Sequence, residues 1–159
     1  MNRQQEIQAQ VQALLANAPQ DQQTLNGVQA IVPALQQMAQ RLKCPTYYIL
    51  QSLDQRWQIT TLKHRQQPKR EKAVIYAYAD RQAAVSAGQS QLDHQLLVVP
   101  QPLIQLLFQM LSLEGIDSLI FLEDSSDPNV GQEITRPEIQ QAVQTQLQKL
   151  VQSIPPDLA

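Results

Sequence analysis

The segment Ala73–Ala84 reads AVIYAYADRQAA, and it joins a predicted strand to a predicted helix. Its first seven residues alternate, as in a strand whose two faces meet different surroundings. Ala73, Ile75, Ala77 and Ala79 share one face, whereas Val74, Tyr76 and Tyr78 share the other. A short helix is predicted from Asp80 to about Ala87, with Gly88 in the position just after it.

Periodic segments on both sides of this unit predict further helices and strands. The predicted helices cover residues 4–18, 26–43 and 102–114, and a last helix begins at Thr135, where Glu138 has capping-box spacing. The predicted strands are a hairpin of Tyr47–Gln51 and Trp57–Lys63, and the uninterrupted apolar runs Leu96–Val99 and Leu119–Leu122.

The element order α-α-β-β-β-α-β-α-β-α predicts an α/β or α+β fold with one mixed five-stranded sheet. We expect the two apolar runs to be its central strands and the aromatic hairpin to lie toward an edge. The expected organisation is a helical segment at 1–45 packed on an α/β core at 46–154, followed by a short tail at 155–159. Pro33 fits the second helix if it lies in the first turn, and otherwise a kink is expected there.

The composition limits the function classes that this chain can serve. Glutamine supplies 31 of the 159 residues, whereas charged residues make up only 16%, against roughly 25% in soluble domains. A net charge of −2 argues against a general nucleic-acid binder, which needs a basic excess to meet phosphates. The polar N-terminus and apolar runs of only four residues predict a cytoplasmic protein with no membrane span. The single Cys44 excludes an intramolecular disulfide and a cysteine metal cluster.

The few charges are sorted by sign along the chain. From Arg41 to Arg81 there are nine basic and three acidic residues, whereas from Asp93 to Glu138 there are eight acidic residues and one basic. Five of the seven aromatic residues fall in the basic part, and tyrosine, tryptophan and arginine are the types most enriched at interface hot spots. We therefore predict that another protein or peptide segment, of acidic character, binds a surface formed by Tyr47, Tyr48, Trp57, Tyr76 and Tyr78, with Arg65, Lys69 and Arg70 around it.

The same residues allow other interpretations. The tyrosines can serve as cross-strand core packing, and the basic residues can simply solvate a loop. An edge hairpin could accept an extended peptide by strand addition. Single-stranded nucleic acid could stack on the aromatic side chains, but the overall charge and the lack of an RNP-type motif favour no nucleic-acid partner.

Catalytic and cofactor motifs are missing from the sequence. The chain has no G-x-S-x-G, P-loop or G-x-G-x-x-G motif, and its four glycines are isolated. Its two histidines, His64 and His94, lie in different predicted elements. We predict a non-catalytic protein with no cofactor and no metal site. The alternative is a small-molecule-binding or hydrolytic enzyme that uses the acidic segment Glu123–Glu133 together with His94.

The first predicted helix suggests a further partner, a second copy of the chain. Outside its apolar stripe this helix consists almost entirely of glutamine and alanine, so it has little charge to solvate it. Such a surface could pack against a symmetry mate and form a homodimer.

Two segments carry a resemblance to a known family. The stretches Ala73–Ala84 and Pro102–Asp124 (PLIQLLFQMLSLEGIDSLIFLED) resemble the SseB-like class of small α/β domains, with Gly115–Ile120 matching its G-I-x-x-I-type strand. The resemblance covers residues 46–124, is one of element order, and implies no catalytic residues. The glutamine-rich, glycine-poor composition is also similar to that of cyanobacterial proteins, among which small α/β assembly factors act, one of them on the carboxysome shell. Together these likenesses imply an assembly factor.

Overall fold

Helices and strands account for most of the described chain. The computed structural model describes residues 2–19, 21–63, 66, 70–89, 96–123 and 131–152. The helices in these residues are α1 (Arg3–Asn17), α2 (Gln22–Ala39), α3 (Arg81–Gln89), α4 (Leu103–Met110) and α5 (Arg136–Gln152). The strands are β1 (Thr46–Ser52), β2 (Thr60–Lys63), β3 (Glu71–Tyr78), β4 (Leu96–Pro102), β5 (Ser118–Leu122) and β6 (Gln132–Thr135).

The six strands form one mixed sheet. Its order is β4-β1-β3-β5-β6, with β2 also paired to β3. Strands β3 and β5 are parallel, and the other pairs are antiparallel. The predicted α/β class with N-terminal helices is therefore confirmed. The sixth strand, β6, was missed because Ile134 is its only apolar residue, so it has no alternating pattern.

One of the two apolar runs that were expected at the centre of the sheet lies at its edge. The run Leu96–Val99 was expected at the centre, but β4 is an edge strand and Leu97 is 49% exposed. The edge position suits Pro100 and Pro102, because proline cannot donate a ladder hydrogen bond. The run Leu119–Leu122 does lie inside the sheet, within β5.

The aromatic hairpin was expected toward an edge, but its first strand is internal. Strand β1 lies between β4 and β3, and β2 pairs with β3 instead of β1. Only the tip of the hairpin is retained, where the Gln58 amide donates to the Leu50 carbonyl at 2.8 Å and Trp57 bridges to Gln51. Gln55 has a φ of 68°, a left-handed conformation that closes this turn.

Three predicted helices differ from the structure in where they begin or end, and the one predicted at 102–114 ends already at Met110 in α4. Helix α2 begins at Gln22, because Asp21 caps it by accepting from the Thr24 amide at 2.9 Å. Pro33 therefore lies in the helix interior and not in the first turn. Helix α3 continues through Gly88, which was expected after its end. A Cβ at Gly88 would lie 3.2 Å from Leu50 Cδ2, so the glycine permits close packing of α3 on β1.

The hydrophobic core lies on one face of the sheet, which we call the core face. Ile49, Ile75, Leu119 and Phe121 point into it from the strands. Helices α1, α2, α4 and α5 cover this face with residues that include Ile7, Val11, Leu35, Leu103, Leu106, Leu107, Ile139 and Val143. Because α1 and α2 contribute fully or largely buried side chains, the N-terminal helices are part of the same core.

Polar side chains of α1 bind backbone groups near the ends of α2 and α4. The Gln10 side chain donates to the Pro45 carbonyl at 2.6 Å and accepts from the Ile104 amide at 3.0 Å. This satisfies the first turn of α4, whose N-cap residue Pro102 offers no side-chain hydrogen bond. Arg3 likewise donates to carbonyls at the end of α2, including that of Leu42 at 2.6 Å.

Candidate functional site

The face of the sheet opposite the core, which we call the second face, carries half-buried aromatic and aliphatic side chains on its two central strands. In the parallel register Tyr76 lies beside Ile120, and Tyr78 lies beside Leu122. All four side chains are half-buried. We call this set the tyrosine strip. The described helix on this face is α3, which packs on β1, β4 and β3.

The two tyrosines are in direct proximity to each other. Their ring centroids are 6.4 Å apart with planes tilted by 38°, within the range of favourable aromatic pairs. Burial, followed by the neighbouring Tyr76, raises the pKa of Tyr78 above its usual value. The Tyr78 phenol is therefore neutral at physiological pH and can donate a hydrogen bond. Tyr48 faces Tyr78 across the antiparallel β1–β3 pair and extends the aromatic surface toward β4.

The predicted partner-binding aromatics do not all share this surface. Tyr47 is completely buried, and its ring packs edge-on against Phe121 with centroids 4.8 Å apart. Trp57 is partly buried and packs against the core cluster on the other face of the sheet. The inclusion of Tyr47 in an exposed surface is therefore wrong, and Trp57 is separated from the tyrosine strip because the side chains of a strand alternate between faces. The structural alternative, core packing, applies to Tyr47.

The predicted basic residues fall partly outside the described chain. Arg65 and Lys69 lie outside the described residues, as do His64 and His94. Arg70 is described and exposed at the start of β3. It lines a groove of about 680 Å³ together with Leu62, Lys63, Lys72, Arg136 and four other residues. We call this groove the basic groove.

A cluster of three polar side chains lies next to the basic groove on the second face. Ser118 is fully buried and donates to the Glu133 carboxylate at 2.7 Å, and the Lys72 ammonium donates to the same carboxylate oxygen. The hydrogen bond from Lys72 holds the pKa of Glu133 below its usual range. These contacts tie together β3, β5 and β6, so Lys72 is already paired within the protein.

Two residues of the second face were missed because the sequence does not show strand pairing. Ile120 and Leu122 join the tyrosines only through the parallel register of β3 and β5. The alternation of buried and half-buried residues along β5 is present in the structure but was hidden in the sequence, since the whole run is apolar. Lys63 and Lys72 were counted among the basic residues without being assigned to a site.

Glu123, the first residue of the acidic segment, is hydrogen-bonded to residues near the start of β1. Glu123 accepts from the Lys43 amide at 2.8 Å and from the Tyr47 hydroxyl, which itself accepts from the Cys44 amide at 3.2 Å. Glu123 thereby holds the turn between α2 and β1 against the end of β5. Burial raises the pKa of the Cys44 thiol, which disfavours the thiolate form. Residues 124–130 of the acidic segment lie outside the described residues.

Within the part of the chain that the structure describes, no three His, Cys, Asp or Glu side chains are grouped to hold a metal ion. In the same residues, no helix has both the length and the apolar character to cross a membrane. No family model, curated protein or solved structure matches the chain. The resemblance to SseB-like domains therefore stays a prediction.

Proposed function

We propose that this protein is a non-catalytic interaction or assembly factor that binds a segment of another protein on the tyrosine strip. Tyr76 and Tyr78 form the centre of the surface, with Tyr48 beside them and Arg70 at one end. The setting, a cyanobacterial assembly such as the carboxysome shell, rests on the resemblance of the glutamine-rich, glycine-poor composition to that of cyanobacterial proteins. The proposal assigns the protein no catalytic step and no cofactor.

One observation carries the proposal: the two faces of the central strands differ in how they are covered. The core face is buried under four helices, whereas the tyrosine strip keeps four large side chains half-exposed at the middle of the same sheet. Tyrosines offer a large rigid contact area with few rotatable bonds, so ordering them costs little conformational entropy. Adjacent, partly desolvated aromatic side chains of this kind are where interface energy concentrates.

The test is affinity capture from the source cells with wild-type protein and a Tyr76→Ala/Tyr78→Ala variant. We expect the variant to lose the captured partner, because the centre of the surface is removed. Leu147→Ala is the matched control, since Leu147 is 37% exposed on α5, away from the second face. Circular dichroism of each variant establishes that it folds, and a Tyr78→Phe variant removes only a hydroxyl. Equal recovery of the same partner by a folded double variant would contradict the proposal.

Self-association is proposed as a second binding mode because of a groove of about 390 Å³ between α1 and α4. Its lining has no charged residue and includes Ala9, Ala13 and Phe108. An uncharged, small-residue wall suits close approach of an equivalent helix from a second copy. The solution mass by light scattering should be that of a dimer for the wild type and of a monomer for Ala13→Arg. A monomeric wild type would exclude this mode.

A further inference from the structure

The basic groove lies at the end of the sheet where β3 and β5 begin. Four cationic and two anionic side chains are among its lining residues, and the apolar Leu62 is 36% exposed there. The groove therefore has a net positive charge and an apolar side chain that a ligand can contact. Its volume of about 680 Å³ is in the range of ordinary ligand sites.

The contacts within the groove decide which charges can meet a ligand. Arg136 donates from its guanidinium to three backbone carbonyls, at 2.8 Å to both Ile116 and Met110 and also to Leu113. Lys72 is paired with Glu133, and the Asp117 carboxylate accepts from the Ala73 amide at 2.8 Å. These groups are committed to contacts within the fold, and they contribute their charges to the potential of the groove.

Two cations of the groove have no such commitment. Among the residues that the structure describes, neither Lys63 nor Arg70 takes part in an ion pair. Glu71 lies directly across from Lys63 in the β2–β3 register and offsets part of its charge. Arg70 is exposed, is always charged, and presents donors in a fork that matches a carboxylate. It is therefore the strongest unsatisfied anion-binding group of the groove.

Strand β3 connects this groove to the tyrosine strip on the same face. Lys72 and Tyr76 are both even-numbered positions of β3, so their side chains point to the second face. Arg70, which binds the carboxylate, precedes Tyr76 by six residues, about 20 Å of extended chain. We infer that the partner segment is acidic at one end and apolar at the other, with carboxylates in the basic groove and an apolar side chain on the tyrosine strip. This inference rests on the proposed function and adds the chemistry and spacing of the ligand.

An acidic polypeptide fits the groove better than a phosphate polymer. Glu71 and Asp117 lie in the lining and would repel a dense row of phosphates, and the net charge of the chain is −2. A peptide can place single carboxylates beside Arg70 and keep apolar atoms against Leu62. Charge complementarity of this kind sets the orientation and association rate of a complex.

The test uses a synthetic peptide with two aspartates separated by glycine, a five-residue Gly-Ser spacer and a Leu-Phe pair, titrated into ¹⁵N-labelled protein. We expect the amide signals of Lys63, Arg70 and Tyr76 to shift together. A peptide with asparagine in place of aspartate should bind about tenfold more weakly, and Arg70→Glu should weaken the acidic peptide by a similar factor. Lys149→Glu is the matched control, since Lys149 is exposed on α5, away from the second face, and undergoes the same charge reversal.

Three results would overturn the inference: equal binding of the two peptides, no effect of Arg70→Glu, or tighter binding of a single-stranded oligonucleotide or inorganic polyphosphate. A further outcome is that the peptide causes no amide shifts in the basic groove while a Tyr76→Ala variant still fails to capture the partner. In that case the inference fails and the proposed function survives. If the peptide shifts the groove but Tyr76→Ala captures its partner normally, the tyrosine strip is the part that is wrong.

Discussion

Replacement of Arg136 by alanine should destabilise the protein strongly, because this side chain satisfies the end of another helix. Its guanidinium donates to the Met110 and Ile116 carbonyls at 2.8 Å and to the Leu113 carbonyl. Helix α4 ends at Met110, where backbone carbonyls have no partner within the helix. Arg136 thus joins the first residue of α5 to the turn after α4.

The magnitude follows from these contacts. A hydrogen bond to a charged group contributes about 1.5–3 kcal/mol, but Arg136 is half-buried and water can reach part of the space left by alanine. Taking about 1 kcal/mol for each of the three contacts, we expect a loss of roughly 3 kcal/mol in the free energy of unfolding. For a chain of this size that corresponds to a fall in Tm of roughly 6–12 °C.

Urea unfolding followed by circular dichroism measures this change. The transition midpoint should fall while the m-value stays constant, since the surface exposed on unfolding is nearly the same. Arg136→Lys keeps the charge but cannot reach three carbonyls at once, so it should recover only part of the loss. Arg81→Ala serves as the exposed control. A loss below about 0.5 kcal/mol, the range of ordinary surface substitutions, would refute the capping role of Arg136.

Three other predictions concern stability. Gln10→Ala should cost about 1–2 kcal/mol in urea unfolding, because it leaves the Ile104 amide unpaired, whereas the exposed Gln12→Ala should be neutral. Gly131→Ala should cost about 1–3 kcal/mol, since its Cβ would lie 3.0 Å from Ile120 Cγ2 and 3.3 Å from the Phe121 carbonyl; an unchanged urea midpoint would contradict this. The lowered pKa of Glu133 stabilises the folded state at pH values above its unfolded-state pKa, near 4.5, and this contribution is lost as the pH falls through the folded value. Glu133→Gln should therefore flatten the pH dependence of unfolding below about pH 5, and an unaltered profile would contradict this.

The candidate site was only partly predictable, and Tyr47 and Tyr48 show why. Both were predicted on the partner surface because they are adjacent aromatics in a basic part of the chain. A strand sends consecutive side chains to opposite faces, so Tyr47 enters the core beside Phe121 while Tyr48 lies across from Tyr78. The alternation in β3 correctly placed Tyr76 and Tyr78 together. The choice of which face the helices cover depends on contacts between distant parts of the chain. The alternation within β3 carries no information about those contacts.

The separation of charges by sign along the chain does not predict which charges meet in the folded protein. Lys72 and Glu133 belong to the basic and acidic parts of the sequence, 61 residues apart, yet the fold pairs them. Arg136, the single cation of the acidic part, is bound to carbonyls beside the basic groove. Of the basic residues that were expected to surround the tyrosines, Arg70 is the one that the structure describes, and it remains available to a ligand.

The sequence by itself determined the α/β class, most helix and strand positions, and the two-faced character of β3, because hydrophobic periodicity and capping residues are local properties. Only the tertiary structure decided the strand order, with β4 at the edge, β1 inside and a sixth strand beside β5. It also decided that Ile120 and Leu122 join the two tyrosines and that a basic groove lies at the other end of β3. These features arise from the pairing of strands far apart in the chain. The strands pair in the order and register that bury the whole hydrophobic core, and the sequence of a single segment does not specify that arrangement.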